Sequence, residues 1–545
     1  MFKRQIIFAA GVVAFVSASV AFGSNGAQPQ ADKKQIKAHV SFLADDLLEG
    51  RETGSRGYDI AAHYVSSQFM QYGVQPKGDG AGYLQGVPLK ATRLNFDSPR
   101  VEIRGPAGAE VLTYLDDYLM SGSLLEDSSA VEAPLVFVGY GIEAARFGHH
   151  DYANVDVRGK IVVLLSGKPS KFPTEEGAHF GNGEHKRSVA AERGAVGMIT
   201  LQTPFSEKSF PFVKGREFRF IPSMTWIDRA GKPAHELPAM QNRLSLSLAA
   251  ARKLFTRVDH RLDDIYAAGE ANRPMPHMDL NLSMRMARSS VRSDLRSHNV
   301  VGMIEGSDPL LKNEYVIFSA HLDHLGIVKE KTGDNIYNGA MDNASGVAIM
   351  LETARLFAQM EIKPKRSLLF LALTGEEKGL LGSDYFASNP TVPLKDIVAN
   401  VNLDMPMLTY DFSNVIAFGA EHSSMKGTVS TAMAKMKLGL IADPWPEQGF
   451  FTRSDHYMFV RQGVPSIFLA TGLGSFNKNE KPAELWREFL QKHYHQPSDD
   501  LKLPLNFDAA ARFAQANFNI GLELANDAAR PSWNVGDFFG DTFRK

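Results

Sequence analysis

Apolar positions recur along this chain with different periods, and the changes of period divide it. Between residues 33 and 72 the period is helical, with Ile36, Val40, Leu43 and Leu47 on one face. A glycine-rich turn at 50–57 interrupts it, and a second amphipathic helix is expected over 58–72, ended by Gly73. From about 130 to 270 short β-runs such as 134–140 and 160–165 are separated by Gly and Pro. A polar loop at 167–186 precedes a helix at 187–193, and a strand at 196–201 follows. From Asn299 onward, near-continuous apolar runs at 315–320, 367–374, 397–403 and 465–470 alternate with helical patterns at 344–360 and 424–436. Strands that are apolar throughout are buried on both faces, and their alternation with helices predicts an α/β fold, a doubly wound, mostly parallel sheet. The expected organisation is a leader at 1–23, an N-terminal helical segment at 24–125, an inserted β-rich domain at 126–275 and the main α/β domain at 276–545.

The leader is read from Lys3 and Arg4, the apolar run 6–22 and small residues at Ser19 and Ala21. This pattern is that of a cleaved secretory signal, with an N-terminal anchor as the alternative. Export to a periplasm or the medium is the expectation, with no membrane attachment after cleavage. The chain has no cysteine, which removes lipoprotein attachment, thiol catalysis, thiolate zinc sites and disulfides. With 59 basic against 61 acidic residues it carries no electrostatic footprint for nucleic acid. A metal would have to be held by His, Asp and Glu.

Those residue types collect where a doubly wound sheet binds its ligands, beyond the carboxyl ends of the strands. The first run leads into His321-Leu322-Asp323-His324, the second into Thr374-Gly375-Glu376-Glu377, the third into Asp404. Asp342 lies in the loop 338–346 before a helix, and His495 in Tyr494-His495-Gln496-Pro497-Ser498-Asp499. Carboxylates brought together repel, and a divalent cation removes that penalty. His321, Asp342, Glu377, Asp404 and His495 offer five sulfur-free ligands, which suits two zinc ions, with cobalt or manganese as substitutes. Glu376 is left over as a base. Each motif alone has an ordinary structural explanation, such as a helix cap or a charge at a helix N-terminus. Their conjunction at successive strand ends is what points to a metal centre.

His321-x-Asp323, the 338–346 segment, Thr374 to Ser383, Asn402-Leu403-Asp404-Met405 and Tyr494 to Asp499 resemble the dizinc aminopeptidase family, which includes secreted bacterial leucyl-type aminopeptidases and aminopeptidase Y. The spacings are similar too: 21 residues from His321 to Asp342, 34 from Asp342 to Glu376 and 27 from Glu377 to Asp404. Val138 to Gly141, Asp156 to Val162 and Ala190 to Ile199 resemble a protease-associated domain, and Arg51 to Ser55 the segment that opens members carrying one. The resemblance implies that Asp342 bridges two metals, that Glu377 and His495 complete one, and that His321 and Asp404 complete the other. It implies that Glu376 takes a proton from the attacking water and passes it to the leaving amine. Asp323 would hold the His321 ring, Asp499 would orient His495, and Ser454-Asp455-His456 would lie near the site. The implied substrates are peptides, cut at the amino terminus.

One position departs from the resemblance. Some members carry tyrosine three residues before Ser-Asp-His, near the developing oxyanion, and here Phe451 stands there, with Arg453 as a substitute donor. Two alternatives follow from the same fold. A glutamate-releasing carboxypeptidase would need a basic pocket, for which Arg216, Arg219 and Arg453 are candidates. A catalytically dead, receptor-like protein would be expected to lose ligands or base, and all six residues stand.

Overall fold

The computed structural model describes residues 28–240 and 242–544, so the leader expected at 1–23 lies outside the described residues. Helix α1, Lys33–Leu43, starts where the Asp32 side chain accepts from the Lys34 N–H, and it buries Ile36, Val40 and Leu43. Helix α2, Arg56–Tyr72, is capped by Ser55 and closed by Gly73 at φ +75°. Gly57 opens it because a Cβ there would lie 1.8 Å from the Leu48 carbonyl oxygen. The helical segment expected through 125 stops at this point. Strand β1, Leu84–Leu94, and strand β2, Arg100–Gly105, follow instead. Val87, Leu89 and Ala91 carry the period of two that marks β1, and all three are buried.

The middle of the chain is mixed rather than β-rich. Strands β3, Ser128–Val138, and β4, Ile161–Leu165, are followed by helices α3, Thr174–Gly181, and α4, Gly183–Glu192. Strands β5, Gly197–Leu201, and β6, Asn242–Leu246, complete a parallel set in the order β6-β5-β4-β3. Strand β7, His277–Ile304, then runs through both sheets. Its first half pairs antiparallel with β3 and β2, its second half with β1. The boundary expected at 275/276 therefore falls just before a strand that joins the two sheets, not in a linker.

The main sheet holds the expected parallel core. Strand β8, Tyr315–His321, is followed by helix α5, Gly346–Gln359, then β9, Ser367–Leu373, and β10, Ile397–Leu403. Strands β11, Asn414–Phe418, and β12, Ser466–Thr471, come later. Strands β9, β8, β10 and β12 lie parallel in that order, with β7 antiparallel on one side and β11 antiparallel on the other. Val316, Phe318, Leu368 and Phe370 share a core with Phe357 of α5 and Phe518 of helix α6, Phe507–Asn526. Ile317, Leu369, Leu371 and Leu373 share one on the opposite face with Phe386 and Phe459. Two buried faces are why these strands read as continuous apolar runs.

The inserted segment is fastened to the main domain by charge. Glu175 of α3 approaches His422 Nε2 at 2.6 Å, and Asp537, the N-cap of helix α7, Phe538–Phe543, approaches Nδ1 at 2.5 Å. Beside this, His179 Nδ1 meets the Tyr457 hydroxyl at 2.5 Å. Burial opposes charge on His422, but the bonds to Asp537 and Glu175 outweigh it and push its pKa up to about 10. Asp537 is held below its ordinary value, burial being outweighed by its bond to His422. A raised histidine pKa stabilises fully below the unfolded value of about 6.5, and that contribution fades as pH climbs toward 10. The melting temperature should therefore decline between pH 7 and pH 10, and His422→Gln should flatten that part of the curve in a thermal-shift series. An identical decline in the variant would remove His422 from the explanation.

Candidate metal centre

Strands β8, β9 and β10 end at one edge because they are parallel and in register. His321 lies opposite Leu373, and Ser319 opposite Asn402. The Leu322 N–H donates to the Leu373 carbonyl at 2.7 Å, so the ladder runs on past His321. This register brings His321, the Glu376-Glu377 pair and Asp404 together. The loop carrying Asp342 is fixed from beneath: the N–H groups of Met341 and Asp342 donate to the Asp499 carboxylate at 2.8 and 3.0 Å. Gly339, at φ +60°, permits the turn, since a Cβ would lie 2.2 Å from the Asp342 carbonyl oxygen.

Asp342 faces two ways. Its Oδ1 lies 3.2 Å from His321 Nε2, and its Oδ2 lies 3.2 Å from His495 Nε2. A further carboxylate completes each side, Asp404 Oδ1 at 3.2 Å from His321 Nε2 and Glu377 Oε2 at 3.1 Å from His495 Nε2. All five expected ligand residues are thus gathered. Ligand atoms of His321, Asp342 and Glu377 fall within 4.8 Å of one another, close enough to share a cation. Glu376, beside them, is half-buried, and among the described residues no hydrogen bond engages its carboxylate.

The electrostatics show what the cluster lacks. Burial pushes Glu376 well above the ordinary carboxylate range, helped by Asp404 and Glu377 although His321 opposes it. Burial works against charge on His495 too, but Glu377 and Asp342 raise it to about 10. His321 is likewise raised, Asp404 and Glu376 outweighing burial. Asp342 is held low because its bonds to the two imidazoles outweigh burial. A divalent cation held by these groups would compete with protons for the two imidazoles.

The supporting contacts differ from expectation in three places. The His321 ring is held at Nδ1 by the backbone carbonyl of Asp323 at 3.1 Å, while the Asp323 carboxylate stays 3.9 Å away. That carboxylate instead accepts the N–H groups of Glu376 and Glu377, at 3.1 and 3.3 Å, and the Thr53 hydroxyl at 3.0 Å. Asp323 thus holds the imidazole through its carbonyl and the acidic pair through its carboxylate. Asp499 holds the Asp342 loop and not His495. Of Ser454-Asp455-His456, Ser454 reaches the site and donates to Asp404 Oδ2 at 2.5 Å. Asp455 and His456 are fully buried, and burial raises the first to about 7 and lowers the second to about 3.

Phe451 packs among His422, His456, Tyr457 and Phe539, which accounts for an apolar ring there. Two of the three arginines that a carboxypeptidase's basic pocket would draw on are engaged elsewhere. Arg216 lies 3.5 Å from Asp116, and Arg219 donates to the Arg216 carbonyl and stacks on Phe220. One residue escaped the sequence reading as a functional group. His324 is fully buried, and its Nδ1 lies 2.7 Å from Glu377 Oε1, so Glu377 is gripped on the oxygen that His495 does not face. It stands in the His321–His324 motif, but a second histidine three residues on carries no signal by itself.

Residues 299–520 match the model of peptidase family M28. A probable zinc metalloprotease of Pyrenophora teres f. teres (strain 0-1) is 48% identical over 208 residues, covering 36% of this chain and 42% of that protein. Leucine aminopeptidase 1 of Trichophyton equinum is 29% identical over 248 residues, covering 43% of this chain and 60% of its own. The chain thus spans roughly half the length of these curated relatives. Among solved structures, an aminopeptidase from Aneurinibacillus sp. strain AM-1 shares the fold, with a TM-score of 0.53 and 19% identity over 92% of this chain and 96% of that one.

Arg51 lies outside the matched span, and its role rests on geometry alone. Its buried guanidinium donates to the carbonyls of Asn338 at 2.6 Å, Leu322 at 2.9 Å, Gly339 at 3.2 Å and also Leu43. It therefore ties the N-terminal helices to both loops that carry the acidic cluster. Arg51→Ala would orphan several buried carbonyls at about 1–3 kcal/mol each. Denaturant unfolding should show a loss on the order of 3 kcal/mol or more. A loss below about 1 kcal/mol would mean that water replaces the guanidinium.

Proposed function

Since its 299–520 segment belongs to peptidase family M28, we propose that this chain is an exported aminopeptidase that removes N-terminal residues from peptides with the help of two zinc ions. The observation that carries the reading is the two-sided Asp342 carboxylate, 3.2 Å from one imidazole on each oxygen. Each side has one more carboxylate, and the site has one carboxylate free. His321, Asp404 and Asp342 would hold one ion, and His495, Glu377 and Asp342 the other. The donor set fits: nitrogen and oxygen only, with His321, Asp342 and Asp404 buried, and acidic beyond what its histidines balance. When bound, the ions would acidify a water and polarise the scissile carbonyl.

Glu376 is the residue left to move the proton. Its carboxylate, beside the five candidate ligands and engaged by no hydrogen bond among the described residues, is the group placed to take a proton from water and return it to the departing amine. Asp323 holds its backbone and so keeps its carboxylate aimed into the cluster. The concentration of acid favours an ammonium group, which selects the amino end of a peptide. Phe218 of the insertion packs edge-on against the His495 ring at 6.0 Å, crowding one side of the site. That crowding suits a chain end better than a chain middle. Export is read from the N-terminal charge and apolar run, and none of the described helices is long and apolar enough to cross a membrane.

Two measurements test the reading. Glu376→Gln should cut turnover by about 10²–10⁴-fold while bound zinc is retained, on a dipeptide that is cleaved only with its amino group free. Near-wild-type turnover would sink the base, and equal cleavage of the N-acetylated dipeptide would sink amino-end recognition. For the ions, elemental analysis should find both lost or weakened in Asp342→Ala but chiefly one in His495→Ala. Two tightly bound ions in the Asp342 variant would exclude the bridge.

A further inference from the structure

Arg453 is held differently from Lys378 and Arg51, the buried cations on the other side of the cluster. Lys378 pairs with Glu52 at 3.1 Å, and Arg51 is committed to backbone carbonyls. Arg453 has no carboxylate within ion-pair distance among the described residues. It donates only to neutral oxygens, the Gln448 carbonyl at 3.2 Å and the Tyr494 hydroxyl at 3.1 Å. Three rings surround its guanidinium: Phe210 of the insertion at 5.1 Å, Phe450 at 5.8 Å and Tyr494 at 6.0 Å. Aromatic faces hold a planar cation without neutralising it, and a guanidinium carries five N–H donors. Donors remain for a ligand, and the group that fits their fork is a carboxylate.

Its place relates that ligand to the reaction. The next residue, Ser454, bonds Asp404, and the Tyr494 ring stacks on that of His495 at 3.8 Å. The guanidinium is therefore two side-chain contacts from the acidic cluster, along the His495 side. An acidic cluster with an uncompensated guanidinium two contacts away complements a zwitterion, ammonium toward the cluster and carboxylate on the arginine. In a peptide those two charges stand apart by roughly 3.3–3.6 Å per residue, so two or three residues match the reach of two successive side-chain contacts.

Resting on the aminopeptidase reading, we propose that Arg453 binds the C-terminal carboxylate of the substrate, and that the substrates are di- and tripeptides with both ends free. A long peptide or a C-terminal amide would leave the guanidinium without its partner.

The test compares leucylglycine, leucylglycinamide and N-acetyl-leucylglycine on the zinc-loaded full chain. The wild type should prefer leucylglycine over its amide by about tenfold or more in kcat/KM, chiefly through KM, as expected for one charge-assisted pair. In Arg453→Met the ratio of acid to amide should fall toward one, and Arg453→Lys, which keeps the charge, should restore part of it. Zinc content measured on each variant separates this from an emptied centre. Equal cleavage of acid and amide by the wild type, or an unchanged ratio in Arg453→Met, overturns the proposal and leaves the aminopeptidase reading standing. Preferential cleavage of the N-acetylated peptide overturns that reading and the proposal with it.

Discussion

The structure is organised around the repulsion among carboxylates gathered at the carboxyl ends of parallel strands. Asp323, Asp342, Glu376, Glu377, Asp404, Asp455 and Asp499 converge there, and all but Glu376 and Glu377 are classed as buried. Each is treated differently by its surroundings. Asp323 and Asp499 are satisfied by backbone N–H groups, so their charge is spent on fixing loops. Asp342, Asp404 and Glu377 face imidazoles instead. Glu376 has neither kind of partner, and burial raises its affinity for a proton. On the proposed function, position in this series would separate scaffold from ligand and ligand from base.

That constraint explains which parts were legible in the sequence. Both-face burial gave β8, β9 and β10 their unbroken apolar runs, and parallel order put His321, Glu376-Glu377 and Asp404 at their ends. The same logic reached Asp342 and His495, because loops that close over such an edge must bring what the strands lack. All five candidate residues come together in the structure, and residue type alone had marked them, since a charge cluster shows in residue type.

What stayed hidden depends on contacts distant in sequence and on backbone atoms. Arg51 read as part of a glycine-rich turn, yet its guanidinium meets carbonyls near residues 322 and 338, some 270 to 290 positions on. Asp323 was read as a partner for the imidazole two residues away, but the local bond is made by its carbonyl. Its side chain is free to reach across the strand edge. His324 looked ordinary because its partner, Glu377, arrives from another strand. Strand β7 escaped since its first half alternates with polar residues while its second is buried, and no single period spans it.

The insertion belongs to the same argument. A site that concentrates acid attracts any cation, and it needs walls to choose among them. Phe210 and Phe218, from the segment after β5, stand against Arg453 and His495 respectively. The parent segment is held down at its other end by Glu175 on His422 and His179 on Tyr457. Insertion and main domain thus meet through β7, through a charged latch and at the rim of the metal centre. The rings that flank Arg453 and His495 come from the insertion, while the five candidate ligands sit on strands and loops of the main domain. On the proposed function, selection of the substrate and assembly of the centre would fall to different parts of the fold, joined by one continuous strand.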